Sequence, residues 1–352
     1  MLSYKIFNSF DGQCYKDWKE TSSTGNYNFF QSFDYLKIIS SKKSNEIRIV
    51  SIYHNNKVIA FFPLEIKNFY FFKILQWIGT EISDFCNPII TNEFYDNLQD
   101  ESFNKIWKNI LSDIGRFDLI YFNNQLSEIN NLPNPFTKFL NSIEFSKIYQ
   151  IKIDSSIDQY LKKLKENNNK KFYEIQRTIN KSKNLEKEFN VVFDIKELPH
   201  QEVDLKKIVQ NKIHQLNKKR IKNKLNNEFV EIFDNLIKLK KNRFILASLK
   251  INNEIISTCF GIILNNIFYY YMPTIISKNF NNYKPGKILT LKIVDWCTKN
   301  KIEYFDFGLG DEKYKENFSN KLITIHRYIT YKSVLGKILL YCMKIVFYKK
   351  KF

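Results

Sequence analysis

The order hairpin, helix, strand occurs twice in this chain, and that repetition limits the folds open to it. In the first copy, residues 48–53 and 58–64 are rich in β-branched and aromatic side chains and flank His54-Asn55-Asn56-Lys57. In the second, residues 244–249 and 255–260 flank Asn252-Asn253-Glu254. Two β-prone runs around an Asn-Asn pair predict a tight hairpin, because asparagine tolerates the left-handed conformations that such a turn needs. A helix follows each hairpin: Phe103, Ile106, Trp107, Ile110, Leu111 and Ile114 recur at helical spacing, as do Leu289, Ile293, Trp296 and Cys297 over 288–299. Each helix leads to a short apolar strand, 117–122 or 302–307, with Tyr121 aligned to Asp306 and Asn123 to Gly308. The pattern predicts an α/β protein with two similar domains.

A length of 352 residues suits two domains of ordinary size, and 44% hydrophobic residues can fill their cores. The expected division is 1–153, a connector over 154–190, a second domain over 191–335 and a tail over 336–352. In the connector, Ser155 or Ser156 can cap a helix starting near Ile157. Tyr160, Leu161, Leu164, Phe172, Ile175, Ile179 and Leu185 then form an apolar side among many lysines, with a break at Asn167-Asn168-Asn169. A second basic helical region is expected over 201–240, carrying Lys212, His214, Lys218, Lys219 and Arg220. The tail is an apolar run with Lys337 and Lys344 that ends in Lys349-Lys350-Lys351. It is too short and interrupted to span a bilayer, but such a helix can lie on an anionic membrane face or close over a domain.

The net charge of +19 suits a phosphate-rich partner such as coenzyme A, RNA or an anionic membrane. The five cysteines are scattered, with no CxxC or Cys/His cluster, so neither a metal nor a disulfide framework is expected. Free thiols and the lack of a signal-peptide pattern at the amino terminus point to the cytoplasm. No helix-turn-helix or zinc pattern supports DNA binding. His54, His200, His214 and His326 form no triad, and no serine or cysteine sits in a nucleophile elbow.

The most informative stretch runs from Asp306 to Lys315: Asp-Phe-Gly-Leu-Gly-Asp-Glu-Lys-Tyr-Lys. A buried strand breaks into two glycines, which allow a sharp turn, and then into charged residues gathered at a strand's carboxyl end. The segment resembles the C-terminal signature of the CelD/BcsL family of acetyltransferases, built on the GNAT fold. The resemblance is strongest over 283–317 and weaker around Pro63-Leu64 and Trp77-Ile78-Gly79 with Asp84. The family is similar in plan to FemAB-type transferases, which pair two GNAT-like domains.

The resemblance implies two GNAT-like acyltransferase domains joined by a basic helical segment, and transfer of an acyl group from acyl-CoA, such as acetyl-CoA, to an amine or hydroxyl. Acceptors in such families are small molecules or groups linked to cell-surface polysaccharide. Tyr283-Lys284-Pro285-Gly286-Lys287-Ile288 supplies a Pro-Gly helix entry, where unsatisfied amides attract phosphate, with Lys284 and Lys287 adding charge. It departs from the wider GNAT pattern at Tyr283, where Arg or Gln is expected, and at Ile288, where a small residue is expected. Removal of the acceptor's proton needs a base. Asp306 is the first candidate, with Asp311 and Glu312 as alternatives. Lys315 can neutralise a phosphate or hold a carboxylate ionised. Glu312, Tyr314 and Asp84 are expected at the acceptor, and Lys284, Gly286 and Lys287 at the donor. The alternatives are a transferase using aminoacyl-tRNA, which the basic helices favour, and a non-catalytic scaffold.

Overall fold

A computed structural model describes residues 2–24, 27–97, 100–129, 131–221, 223, 225–310 and 312–349. The chain forms two compact units: Met1–Ser146 with Thr324–Phe352, and Lys147–Ile323.

In the first unit, strands Leu2–Phe7, Glu46–His54, Lys57–Phe69 and Phe72–Trp77 pair antiparallel in that order. Strand Leu119–Leu126 then joins parallel to Phe72–Trp77, and residues 325–331 join antiparallel to it. Helix Asp100–Asp113 packs Phe103, Trp107 and Ile110 into a core with Phe62, Leu64, Trp77 and Phe122.

The second unit repeats the scheme. Strands Val191–Leu198, Arg243–Ile251, Glu254–Leu264 and Ile267–Ile275 pair antiparallel, and Tyr304–Asp306 joins parallel to the last. The two parallel registers correspond. Leu119, Ile120 and Tyr121 face Ile74, Leu75 and Gln76, just as Tyr304, Phe305 and Asp306 face Ile267, Phe268 and Tyr269. Tyr121 therefore stands where the second unit has Asp306, as the sequence alignment expects. The hairpins turn on Asn55 and Asn56 (φ 48° and 63°) and on Asn252 and Asn253 (φ 49° and 68°). Two consecutive positive φ values match a type I′ turn, which fits the twist of the flanking strands.

Packing divides the chain differently from the expected boundaries. The segment expected as a connector forms helices Ile157–Asn167 and Asn169–Glu188, broken where Asn168 caps the second through a bond from the Lys171 amide. Their Tyr160, Leu164, Ile175 and Leu185 are buried in the core of the second unit, so these helices belong to it. The region 201–240 is two helices, Leu205–Lys218 and Asn227–Lys238, separated by a loop. Helix Pro285–Lys299 begins three residues before the predicted 288, because Pro285 takes the first-turn position where a missing N–H costs nothing.

The last helix, Val334–Lys349, packs Leu339, Leu340 and Met343 on Phe72, Ile74, Leu119 and Ile329 of the first unit, not on the second domain. Asp118 anchors it. Its carboxylate accepts from the Lys73 amide at 2.9 Å and the Ser333 hydroxyl at 2.6 Å, and its carbonyl accepts from the Lys332 amide at 2.8 Å. Gly336 lies directly on that carbonyl: a Cβ there would sit 1.8 Å from the Asp118 oxygen. In a free helix, alanine would stabilise this position by about 1 kcal/mol over glycine. Here the collision with rigid backbone outweighs that gain. Gly336→Ala is expected to destabilise the protein by about 1–3 kcal/mol, read as a lower urea midpoint; unchanged or raised stability would refute the close packing.

Candidate active site

The parallel pairing in the second unit is short and covers only Ile267–Tyr269 against Tyr304–Asp306. Its end is set by one carboxylate. Asp306 is 2% exposed; its Oδ1 accepts from the Gly308 amide at 2.7 Å and its Oδ2 from the Gln150 side-chain amide at 2.6 Å. Gly308 (φ 64°) then turns the chain away, while the Ile267–Ile275 strand runs on for six more residues. Beside that extension is a cavity of about 300 Å³.

Five parts of the chain line it: the extension itself (Tyr270, Pro273, Thr274, Ile275), Ser257 and Thr258 of strand Glu254–Leu264, the start of helix Pro285–Lys299 with Asn281 before it, helix Leu205–Lys218 with Lys219 beyond its end, and Glu312 with Tyr314. Lys284 adopts a left-handed conformation (φ 59°, ψ 57°) that directs the chain into the helix, and no side chain caps the helix start. Gly286 faces the cavity, and a Cβ there would come within 2.8 Å of Ile275 Cδ1. Among the described residues, the lining holds four lysines, Lys284, Lys287, Lys212 and Lys219, and one carboxylate, Glu312, with Lys287 also 3.7 Å from Glu174. Both departures from the GNAT pattern lie off the cavity: the Tyr283 hydroxyl donates to Glu188 at 2.6 Å, and Ile288 is buried in the core.

Lys212 is the most perturbed cation. Burial pushes its pKa down from 10.5 to about 8, with Glu312 opposing and Lys219 and Lys315 adding to the fall. Its ammonium donates to the Pro273 carbonyl at 2.6 Å. On the facing segment, Lys315 is 3% exposed and donates to Glu312 at 2.9 Å and to the Leu309 carbonyl at 2.6 Å. Burial alone would raise the Glu312 pKa, but the charge and hydrogen bond of Lys315 outweigh it, and the net shift is downward. Tyr314 is pushed well above the ordinary phenol range by burial and then by the charge of Glu312. Tyr314 is hydrogen-bonded to Tyr270, whose hydroxyl lies 2.9 Å from that of Thr290; Thr290 donates to the Gly286 carbonyl at 2.9 Å. This chain of hydroxyls ties the acidic segment to the helix start.

Of the residues expected from sequence, Lys284, Gly286, Lys287, Glu312 and Tyr314 converge on one cavity, with Lys315 directly behind Glu312. Asp306 is not in the lining: one of its oxygens holds the turn at Gly308 and the other holds Gln150 on the neighbouring strand. Asp84 belongs to the first unit, at a half-buried bend, and Asp311 lies outside the described residues. His326 is in the first unit, 3.1 Å from the Ser142 hydroxyl. Sequence reasoning missed the roles of Lys212, Gln215 and Lys219 as a wall. Their spacing of three and then four places them on one helical face, a signal that was available.

Residues 169–316 match the family model described as an acetyltransferase (GNAT) domain. A search of curated proteins found no match. Among solved structures, the chain is similar to that titled "Crystal structure of FemX" (10% identity, TM-score 0.60, covering 94% of this chain and 97% of that one). It is also similar to L-PGS from Bacillus licheniformis (12%, TM-score 0.54, 96% and 97%). A third is a tandem GNAT protein from the clavulanic acid biosynthesis pathway (6%, TM-score 0.53, 94% and 98%). At these identities the likeness is one of fold. The chain thus has a mixed α/β fold of the tandem GNAT kind, and its second unit carries a domain of the acyltransferase class.

Gly310 tests the acidic segment. Its φ is +120°, and a Cβ there would lie 2.4 Å from Glu312 Oε2 and 2.9 Å from Lys315 Nζ. Gly310→Ala must both strain the backbone and part the ion pair. It is expected to lower stability by about 1–3 kcal/mol, measured by urea denaturation; a neutral result would show that the pair is not held there.

Proposed function

We propose that this chain is an acyltransferase of the CelD/BcsL type that moves an acyl group from acyl-CoA to an amine or hydroxyl on an envelope glycan precursor. The observation that carries this reading is the lysine-lined cavity at the start of helix Pro285–Lys299, where Glu312 and Tyr314 face the same space. Lys284, the helix start at Gly286, and Lys287 would hold the donor's phosphates, by side-chain charge and by the positive end of the helix dipole. When bound, acyl-CoA supplies the activated acyl carbon. Glu312, kept ionised by Lys315, would accept a hydrogen bond from the acceptor's N–H or O–H, orient it, take its proton as the acceptor attacks, and return that proton to Tyr314 once the thiol has left. Tyr314, kept protonated by its surroundings, is placed to give a proton to the departing sulfur. We assign Asp306 to positioning, since one of its oxygens is engaged by the Gly308 amide and the other by Gln150.

Lys212 sets the pH dependence. Its folded pKa lies below the ordinary lysine value, so its charge is disfavoured and the penalty is relieved as pH rises from about 8 toward 10.5. An anion beside it raises that pKa again. Acetyl-CoA affinity is therefore expected to hold level below about pH 8 and to fall above it, with the slope lost in Lys212→Met. Donor at about 100 times its dissociation constant adds roughly 2.7 kcal/mol of stability. Acetyl-CoA should therefore raise the melting temperature, and Gly286→Trp should abolish the rise. Absence of any rise in the wild type would overturn the acyl-CoA reading.

A second reading, transfer from aminoacyl-tRNA, is favoured by Pro273. This residue has no N–H, and its carbonyl is taken by Lys212, so the extended strand offers few partners to an amide-bearing pantetheine arm. Proteins of similar fold include FemX and L-PGS. Steeply salt-dependent tRNA binding without an acetyl-CoA effect would select this reading.

We also infer a cytoplasmic protein with peripheral contact to an anionic membrane through the first unit. No helix among the described residues is long and apolar enough to cross a membrane. Tyr70 (87% exposed) and Phe71 (74%) form a hairpin tip next to Phe72, which packs on Leu339 of the last helix. That helix exposes Val334, Ile338 and Tyr341, with Lys337 beside them. Sedimentation with phosphatidylglycerol vesicles should carry the protein down, and Tyr70→Ser with Phe71→Ser should weaken it severalfold. Equal sedimentation with neutral vesicles would rule out the charge contribution.

A further inference from the structure

We propose that a second cavity in the unit Lys147–Ile323 is a binding site for a small diphosphate-bearing ligand. It measures about 540 Å³ and shares no lining residue with the first. That volume falls in the range of small-molecule sites, roughly 300–1,000 Å³. Its lining holds Lys152, Lys163, Lys171 and Lys321 against one carboxylate, Asp154, which pairs with Lys163. Asn167, Asn168, Ser319 and Asn320 add neutral polar groups.

The walls are built and fixed. The Asn320 side chain accepts from the Lys152 amide at 2.7 Å and donates to the Lys152 carbonyl at 3.0 Å, which holds the 319–321 segment against the strand. Tyr160, 1% exposed, donates to the Phe318 carbonyl and closes the floor. Lys171 spans the cavity edge to the Ser319 carbonyl at 3.0 Å. Lys163 is engaged by Asp154, Lys321 Nζ lies 5.2 Å from the centre of the Tyr304 ring and Lys171 reaches across to Ser319, so the described lining carries a net positive charge that a bound anion would offset. Burial lowers the Lys171 pKa, the direction expected of a cation lacking a strong counter-charge, with Glu316 only partly opposing.

Lysine meets phosphate as a point charge, and two adjacent phosphates match the clustered cations better than one. A single-stranded nucleic acid is the weaker match. Stacking platforms are the mark of such sites, and among the described lining residues the one aromatic, Tyr160, is buried. The remaining polar groups suit the hydroxyls of a sugar. The binding claim is independent of the acyl-transfer reading.

Isothermal titration calorimetry on the full chain with inorganic pyrophosphate, ADP and glucose 1-phosphate tests this. Pyrophosphate and ADP should bind alike and more tightly than glucose 1-phosphate. Lys321→Met with Lys163→Met, both at the cavity rim, should weaken binding at least tenfold. Lys171→Met should do the same, with folding checked by circular dichroism. Lys238→Met, at an exposed position outside both cavities, should leave pyrophosphate affinity within twofold. No pyrophosphate binding would overturn the proposal, as would loss of binding only in Lys287→Met, in the first cavity. Tight binding of a 20-residue RNA that pyrophosphate fails to displace would replace it with a nucleic-acid surface.

Discussion

The hydrogen bonds on the Asp306 carboxylate govern the shape of the second unit. One oxygen holds the Gly308 amide and the other holds Gln150 on the neighbouring strand, so the parallel strand stops after three residues. A longer strand would continue the ladder along Tyr270–Ile275 and fill the space that is now a cavity. A buried carboxylate is costly unless its oxygens are hydrogen-bonded, and the turn supplies that bonding while changing the chain's direction. Lys315 holds the next segment in the same way, through Glu312 and the Leu309 carbonyl. Two buried or nearly buried charged groups thus set the geometry that a run of apolar residues would leave undefined.

The same topology has diverged between the units. At the register position of Asp306 the first unit has Tyr121, and at that of Gly308 it has Asn123. Tyr121 cannot supply the two acceptor oxygens that fold the turn. Strand Leu119–Leu126 accordingly runs on and pairs with residues of the 325–331 segment.

Local chemistry was legible in the sequence, and long-range packing was not. The Asn-Asn pairs disclosed both hairpins because consecutive left-handed residues need asparagine or glycine. Asn168 disclosed the helix break through its cap, and the Asp306–Lys315 signature located the cavity's acidic side. Strand Phe72–Trp77 escaped because only Tyr70-Phe71, themselves aromatic, separate it from the preceding strand, whereas Ile267–Ile275 follows Asn265-Asn266 (φ 50° and 58°), a third Asn-Asn turn that went unread. The helical spacing of Lys212, Gln215 and Lys219 marked a shared face, but only the fold shows that this face meets Pro273, which is distant in sequence. Asp306 read as a base because sequence shows a carboxylate's presence but not what occupies its oxygens.

The chain leaves the first unit after Ser146 and returns to it at Thr324. During synthesis, the second unit has all its strands and helices once residue 323 has emerged, while the first still lacks the segment that pairs with Leu119–Leu126 and the helix anchored by Asp118. Until then, one side of Leu119–Leu126 exposes an unpaired edge beside apolar Phe72 and Leu119, the kind of surface that invites association with other chains. The amino-terminal unit is therefore the last to be finished. A ribosome that stalls late would release a chain whose second unit is whole and whose first unit is open along one edge.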